Sequence, residues 1–120
     1  VIFTDTDLEV IIDTENIDIK KGEKITVHVD AEKLEVTNDK VKALHEADAL
    51  TITADSTTVK ASTGGVTITR GGSGLKKTLE QMLDGICALT VPTAVGPSGV
   101  PINMATFQQI KADLPNYMEG

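Results

Sequence analysis

The stretch LTITADSTTVKASTGGVTITR, residues 50–70, decides the fold. It contains three pairs of apolar residues, and the two members of each pair are two positions apart: Leu50 and Ile52, Val59 and Ala61, Val66 and Ile68. Successive residues of a β-strand point to opposite faces, so this spacing places both members of a pair on one face. Polar and glycine-containing segments, typical of turns, separate the pairs. The stretch therefore predicts three short strands joined by tight turns.

The same pattern continues from residue 50 back towards residue 1. Five more pairs have the strand spacing: Leu8 and Val10, Ile17 and Ile19, Ile25 and Val27, Leu34 and Val36, Val41 and Ala43. The repeat is about eight residues long, shorter than that of helical solenoids. Residues 40–49 also suit a short helix capped by Asn38 or Asp39, but the repeat continues across them and favours strand. We therefore expect residues 1–70 to form a β-helical shaft.

The composition decides between two ways of burying these short strands. The chain has two Phe, one Tyr and no Trp, although large aromatic side chains usually supply much of a globular core. A meander or sandwich formed by one chain is one alternative. The other, which we favour, is an intertwined trimeric β-helix, or β-prism, in which strands pair with neighbouring chains and three copies share a thin core.

The pattern changes after residue 70. Residues 71–74, Gly-Gly-Ser-Gly, are expected to be a flexible hinge. Beyond them, apolar residues recur at the alternating spacing of four and three that is typical of a coiled-coil seam: Leu75, Leu79, Met82, Ile86 and Leu89. This helix is predicted to end near Leu89, because a residue before proline, here Val91, favours extended backbone.

A second helix is predicted after a turn-rich connector that contains three prolines, residues 90–101. Asn103 is a good N-cap, and Pro115 should end or kink the helix. Residues 75–120 are therefore expected to form a helical hairpin, which serves as a tip or a clamp. The predicted trimer core and interface draw on both halves of the chain: Ile17, Ile19, Ile25, Val27, Leu34, Val36, Leu50, Ile52, Val59, Val66, Ile68, Leu75, Leu79, Met82, Ile86, Leu89, Phe107, Ile110 and Leu114.

The sequence offers little for catalysis, cofactors or metals. His28 is expected on the solvent-exposed face of its strand, His45 in a polar turn, and Cys87 as a small packing residue on the first helix. No His-x-His or Cys-x-x-Cys pair is present, so we expect neither a metal site nor a cofactor, and no enzyme activity. The net charge of −7 would repel phosphates, which disfavours nucleic-acid binding.

Two segments resemble one protein family. Residues 68–79, which join the strand repeat to a helix, are similar to a junction in phage baseplate spike proteins. LTVPTAVGPSGVPIN, residues 89–103, resembles a connector at the C-termini of those proteins, and the helix that contains Phe107 and Leu114 follows at the matching place. The strand repeat also resembles the needles of baseplate assembly protein V and of type VI secretion spikes.

The resemblance implies a structural, membrane-piercing role. The chain would act in the virion as a homotrimeric spike of a contractile tail baseplate. It would join the hub and tail tube through an N-terminal domain that precedes these residues, and it would penetrate the host envelope. The His-x-His motif that holds iron at the apex of many such spikes is missing. The helical end is therefore either the tip itself or a docking site for another protein. The alternatives are a trimeric tail fibre or adhesin-type module that docks a receptor or a separate tip protein, and a wall-degrading hydrolase.

Overall fold

Eight short strands form an antiparallel meander in which each strand pairs with the next along the chain. The computed structural model describes all 120 residues. Residues 1–63 form one of two compact units. Its strands are β1 (Ile2–Asp5), β2 (Leu8–Ile12), β3 (Ile17–Lys21), β4 (Ile25–Val29), β5 (Lys33–Asn38), β6 (Val41–Glu46), β7 (Ala49–Ala54) and β8 (Thr57–Ser62).

This pairing confirms the short strands and corrects one expectation. Residues 41–46 are strand rather than helix, as the eight-residue repeat favours. The strands, however, hydrogen-bond to their neighbours within the same chain, as in β4 with β5 and β6 with β7, and each strand from β2 to β7 is paired in this way on both edges. Turns of two to four residues bring consecutive strands together, so each strand finds its partners locally.

Two of the turns use the same side-chain device. The Oδ1 atom of Asp13 accepts hydrogen bonds from the backbone N–H groups of Glu15 and Asn16, each at 2.8 Å. The Oδ1 atom of Asp30 does the same for the two residues at the equivalent positions, Glu32 and Lys33. Aspartate favours such turns because its short carboxylate reaches the backbone two and three residues ahead. Each turn fixes the register of the strands on either side of it.

The second unit contains the helices. It covers residues 64–120 and consists of β9 (Gly65–Arg70), β10 (Ser73–Gly74), α1 (Leu75–Cys87), β11 (Pro92–Thr93), β12 (Gly96–Pro97), α2 (Met104–Asp113) and a 3₁₀ turn (Leu114–Asn116). Helices α1 and α2 pack against each other, as the predicted helical hairpin requires. The unit begins before the glycine-rich segment 71–74, which is a turn followed by β10, and β10 pairs with β9.

The C-terminal tail completes one edge of β9. The N–H of Val66 donates to the carbonyl of Tyr117 at 2.9 Å, and the N–H of Glu119 donates to the carbonyl of Val66 at 3.0 Å. The small core of this unit lies beside these bonds, since Leu114 and Met118 are both only 2% exposed. An unpaired strand edge attracts other strands, so the tail removes a place where the chain would otherwise aggregate.

Candidate assembly surface

The strand register of the first unit aligns apolar side chains in one row. Each member of this row lies directly opposite the next member on the neighbouring strand, and the row crosses all eight strands: Phe3, Val10, Ile19, Val27, Val36, Ala43, Ile52 and Val59. No polar residue interrupts it. Cross-strand pairs of β-branched residues stabilise a sheet, but they bury only part of each side chain. The row therefore forms the centre of a continuous apolar strip.

Two further rows lie on the same side of the sheet. The row on one flank is Ile12, Ile17, Val29, Leu34, His45, Leu50 and Ala61, and the row on the other flank mixes apolar and polar residues: Asp5, Leu8, Lys21, Ile25, Asn38, Val41, Ala54 and Thr57. We call these three rows together the apolar face. All nine residues of the first unit that the sequence predicts for the trimer core lie on it. The alternation of apolar and polar residues thus identifies the face correctly.

Charged and hydroxyl side chains occupy most of the other side of the sheet, which we call the polar face and which also carries Ile11 and Leu44. Lys20 lies 3.9 Å from Glu9, and Glu35 lies 3.9 Å from Lys33 and 4.0 Å from Lys42. These ion pairs are partly solvated and their distances are long, so each contributes little to stability. Their charged groups are well hydrated, so they favour contact of this side of the sheet with water. The sheet therefore has one face suited to solvent and one face suited to burial.

A histidine between two carboxylates stands out on the polar face. Nδ1 of His28 lies 2.5 Å from Asp18 on β3, and Nε2 lies 2.8 Å from Asp30 in the following turn. A neutral imidazole has only one N–H, so both contacts are satisfied together only when the ring is protonated. The hydrogen bonds with Asp18 and then Asp30 raise the pKa of His28. The backbone N–H of Glu32, followed by His28, lowers the pKa of Asp30 to about 2.

The apolar face is not covered by this unit. None of residues 1–63 is buried, and the centre of the face is open at Val36, Ile52 and Val59. A single sheet with one uncovered apolar face is not a stable arrangement in water. The whole chain exposes 8583 Å². A folded monomer of its mass, 12.7 kDa, exposes about 6250 Å².

The predicted seam of α1 is only partly covered. Leu79 and Ile86 are half-buried, whereas Leu75 and Met82 are exposed, as is Leu89, which lies beyond the end of the helix at Cys87. The other predicted residues of the second unit differ in the same way. Val66, Ile68 and Ile110 are exposed, Phe107 is half-buried, and Leu114 is buried within the unit itself.

Some residues lie where the sequence did not place them. His45 belongs to β6 and to a flank of the apolar face, so the expected position in a polar turn is wrong. His28 is on the polar face as expected, but it is half-buried between its carboxylate partners. Phe3 was not among the predicted packing residues. Phe3 lies outside the regular eight-residue pairs, and the burial of Met118 depends on the bridge to Val66, which has no local sequence signal.

The structure offers few places for chemistry. No three His, Cys, Asp or Glu side chains are grouped so that they could hold a metal ion. A shallow concavity of about 550 Å³ lies among the turns near Asp5, Asp7 and Gly22, and neither histidine nor cysteine lines it. Cys87 is half-buried in α1, with its Sγ atom 3.8 Å from the carbonyl oxygen of Met104. Neither helix has the length and apolar character needed to cross a membrane.

Comparison with known proteins found no protein similar to this chain. A scan of family models gave no match to the chain, and neither did searches of curated proteins and of solved structures.

Proposed function

We propose that the chain is a rigid homotrimeric spike component of a phage contractile tail baseplate. In this proposal the eight-stranded sheet of each chain forms one side of a three-sided β-prism. The three apolar faces meet along the common axis, and the three polar faces point to solvent. The homotrimer predicted from the sequence is kept, but strand pairing within each chain replaces strand exchange between chains.

The observation that carries this proposal is an apolar row that crosses eight strands in a unit without a single buried residue. The area of the chain agrees with it. Compared with a folded monomer of its mass, the chain exposes an excess of about 2300 Å². A standard interface covers about 800 Å² per partner, so two such interfaces per chain, as a closed trimer has, account for most of the excess.

Charge favours further copies of the chain as the partner. The central row contains only Phe, Val, Ile and Ala, so symmetry-related copies bring no like charges together at the axis. Each chain carries a net charge of −7, and the ion-paired side chains of the sheet lie on the polar face except Lys21, which pairs with Asp7 at one flank of the apolar face, away from the central row. The resulting assembly has an apolar interior and an acidic exterior, which disfavours nucleic acid as a partner.

A spike performs mechanical work, and the proposed assembly suits that task. A sheet whose strands are all locally paired resists bending, and burial of three apolar faces couples the stability of each chain to trimer formation. The resemblance of residues 68–79 and 89–103 to baseplate spikes supports the phage tail as the location. It also supports the tail hub and the host envelope as partners.

The proposal is tested in a phage that encodes the chain, with Ile52→Asp in the gene. A defective spike prevents tail assembly, or it leaves particles that adsorb to the host and fail to deliver DNA. Complete particles that fail to adsorb would instead support the alternative, a fibre or adhesin that docks a receptor or a tip protein. Wild-type infectivity would contradict both. A wall-lysis assay with the purified protein tests the hydrolase alternative.

A further inference from the structure

The end of the helical hairpin carries no charge. Between Asp84 and Lys111 no residue is ionised at neutral pH, although charged residues make up 24% of the chain. These two flanking residues pair with each other, since Nζ of Lys111 lies 2.8 Å and 3.0 Å from the carboxylate oxygens of Asp84. Everything beyond this ion pair is therefore a neutral surface on an otherwise strongly charged protein.

Residues 89–102, which we call the neutral arm, form the most exposed part of this surface. Val95 is 98% exposed at the turn between β11 and β12, and Ile102 is fully exposed. The arm is nevertheless ordered, because the N–H of Val91 donates to Oγ of Ser98 and the N–H of Ser98 donates to the carbonyl of Val91, both at 2.8 Å. A preorganised arm loses little conformational entropy when it docks.

A matching neutral surface lies on α1 of the same unit. Leu75, Thr78, Met82 and Gly85 follow one another at spacings of three and four, and we call them the open stripe. Met82 is 56% exposed. A Cβ atom added at Gly85 would meet nothing within 4 Å, so the surface of the stripe is open to solvent at that point. An apolar side chain from outside fits there without displacing a charge.

The chemistry of the arm selects among possible partners. Segments that bind membrane surfaces use Trp, Lys or Arg at the interface, and the arm has none of them. Nucleic acid requires cations, which are also missing. The centres of protein interfaces are depleted of charge, and the chain itself provides a neutral stripe of this kind. A second copy of the chain is thus the partner that the arm fits.

We propose that the neutral arm of one chain docks on the open stripe of α1 in a neighbouring copy, with Val95 against the open surface at Gly85. This inference rests on the proposed homotrimer, in which each chain donates one arm and receives one. The threefold rotation of that trimer closes these head-to-tail contacts into a ring. The arms then act as a clasp that holds the C-terminal ends of the chains together.

Disulfide trapping tests the clasp. In a Cys87→Ala background, Val95→Cys is combined with Met82→Cys, and the assembled protein is oxidised and run on a non-reducing gel. We expect most of the protein as covalently linked dimers and trimers of the 12.7 kDa chain. The matched control combines Val95→Cys with Lys77→Cys, which lies on α1 away from the open stripe, and should stay monomeric on the gel.

The possible results of this experiment distinguish failure of the clasp from failure of the proposed trimer. If the oxidised protein sediments as a trimer but shows no interchain link, or links equally well through Lys77→Cys, the clasp is wrong and the trimer stands. If it sediments as a monomer, the proposed function fails as well. Pelleting with phosphatidylcholine vesicles that Val95→Asp abolishes would assign the arm to lipid and overturn the clasp.

Discussion

Nζ of Lys111 on α2 lies 2.8 Å and 3.0 Å from the two carboxylate oxygens of Asp84 on α1. These are the last charged residues before the neutral end of the hairpin. The pair is exposed, so its loss alone should change stability only slightly. We expect Lys111→Glu to lower the melting temperature, because it sets like charges opposite each other. Exchange of the two residues, Asp84→Lys with Lys111→Asp, should restore it. A melting series of the three proteins that shows no recovery in the exchanged variant would mean that the pair does not align the helices.

The two faces of β7 can be compared with adjacent residues. Ile52 lies in the central row of the apolar face, and Thr53 lies on the polar face beside Lys42. Full burial of an isoleucine is worth about 1.5–3 kcal/mol, and a carboxylate placed at such an interface adds a desolvation cost of several kcal/mol. We expect Ile52→Asp to abolish assembly and Thr53→Asp to leave it intact, as measured by sedimentation velocity. Equal behaviour of the two variants would refute the assignment of the faces.

Position 65 tests the edge that the C-terminal tail closes. Gly65 has φ of +142°, and a Cβ atom there would lie 2.7 Å from the carbonyl oxygen of Tyr117. Gly22 also has positive φ, +63°, but open space around it, so Gly22→Ala should cost only the backbone strain of about 1–2 kcal/mol. Gly65→Ala should cost more and should speed hydrogen exchange at the amides of Val66 and Glu119. Unchanged exchange at both amides would show that the tail tolerates the added methyl group.

The carboxylates around His28 make stability depend on pH. The raised pKa of His28 means that its contribution is fully present below its unfolded value of about 6.5 and is lost as the pH rises through the higher folded value. The charged groups nearest to it are Asp18 on β3, Glu35 on β5 and Asp30 in the turn. Asp30, with its pKa of about 2, stays ionised throughout this range.

We therefore expect His28→Gln to lower the melting temperature most near pH 5 to 6, and progressively less towards pH 9. Lys20→Gln provides the control on the same face, because it removes the ion pair with Glu9, which contains no histidine. Its effect on the melting temperature should therefore not vary with pH. A constant difference between wild type and His28→Gln from pH 5 to pH 9 would rule out a protonated His28 in the folded chain.

Much of the architecture could be predicted because it is encoded locally. The spacing of two between Leu50 and Ile52 places both on one face whichever strand lies alongside, and the spacing in α1 together with Pro92 sets the extent of the helix. Strand partners could not be predicted in this way. The alternation is identical whether β4 pairs with β5 of its own chain or with a strand of another, so only the short turns distinguish the two.

Features that depend on contacts between residues far apart in the chain could not be predicted from the sequence. The side chains of His28 and Asp18 meet only because of the register between β3 and β4. The parallel bridge between Val66 and Met118 joins segments that are far apart in the chain. A short bridge of this kind has no periodic signal, so the pairing of Met118 with β9 could not be predicted.

The mass of the purified chain in solution tests most directly whether its apolar faces are buried against copies of itself. Sedimentation equilibrium should give about 38 kDa, three times the 12.7 kDa of one chain, over a wide range of concentrations. A stable 12.7 kDa species, with the side chains of Val36 and Ile52 open to solvent, would contradict the proposal.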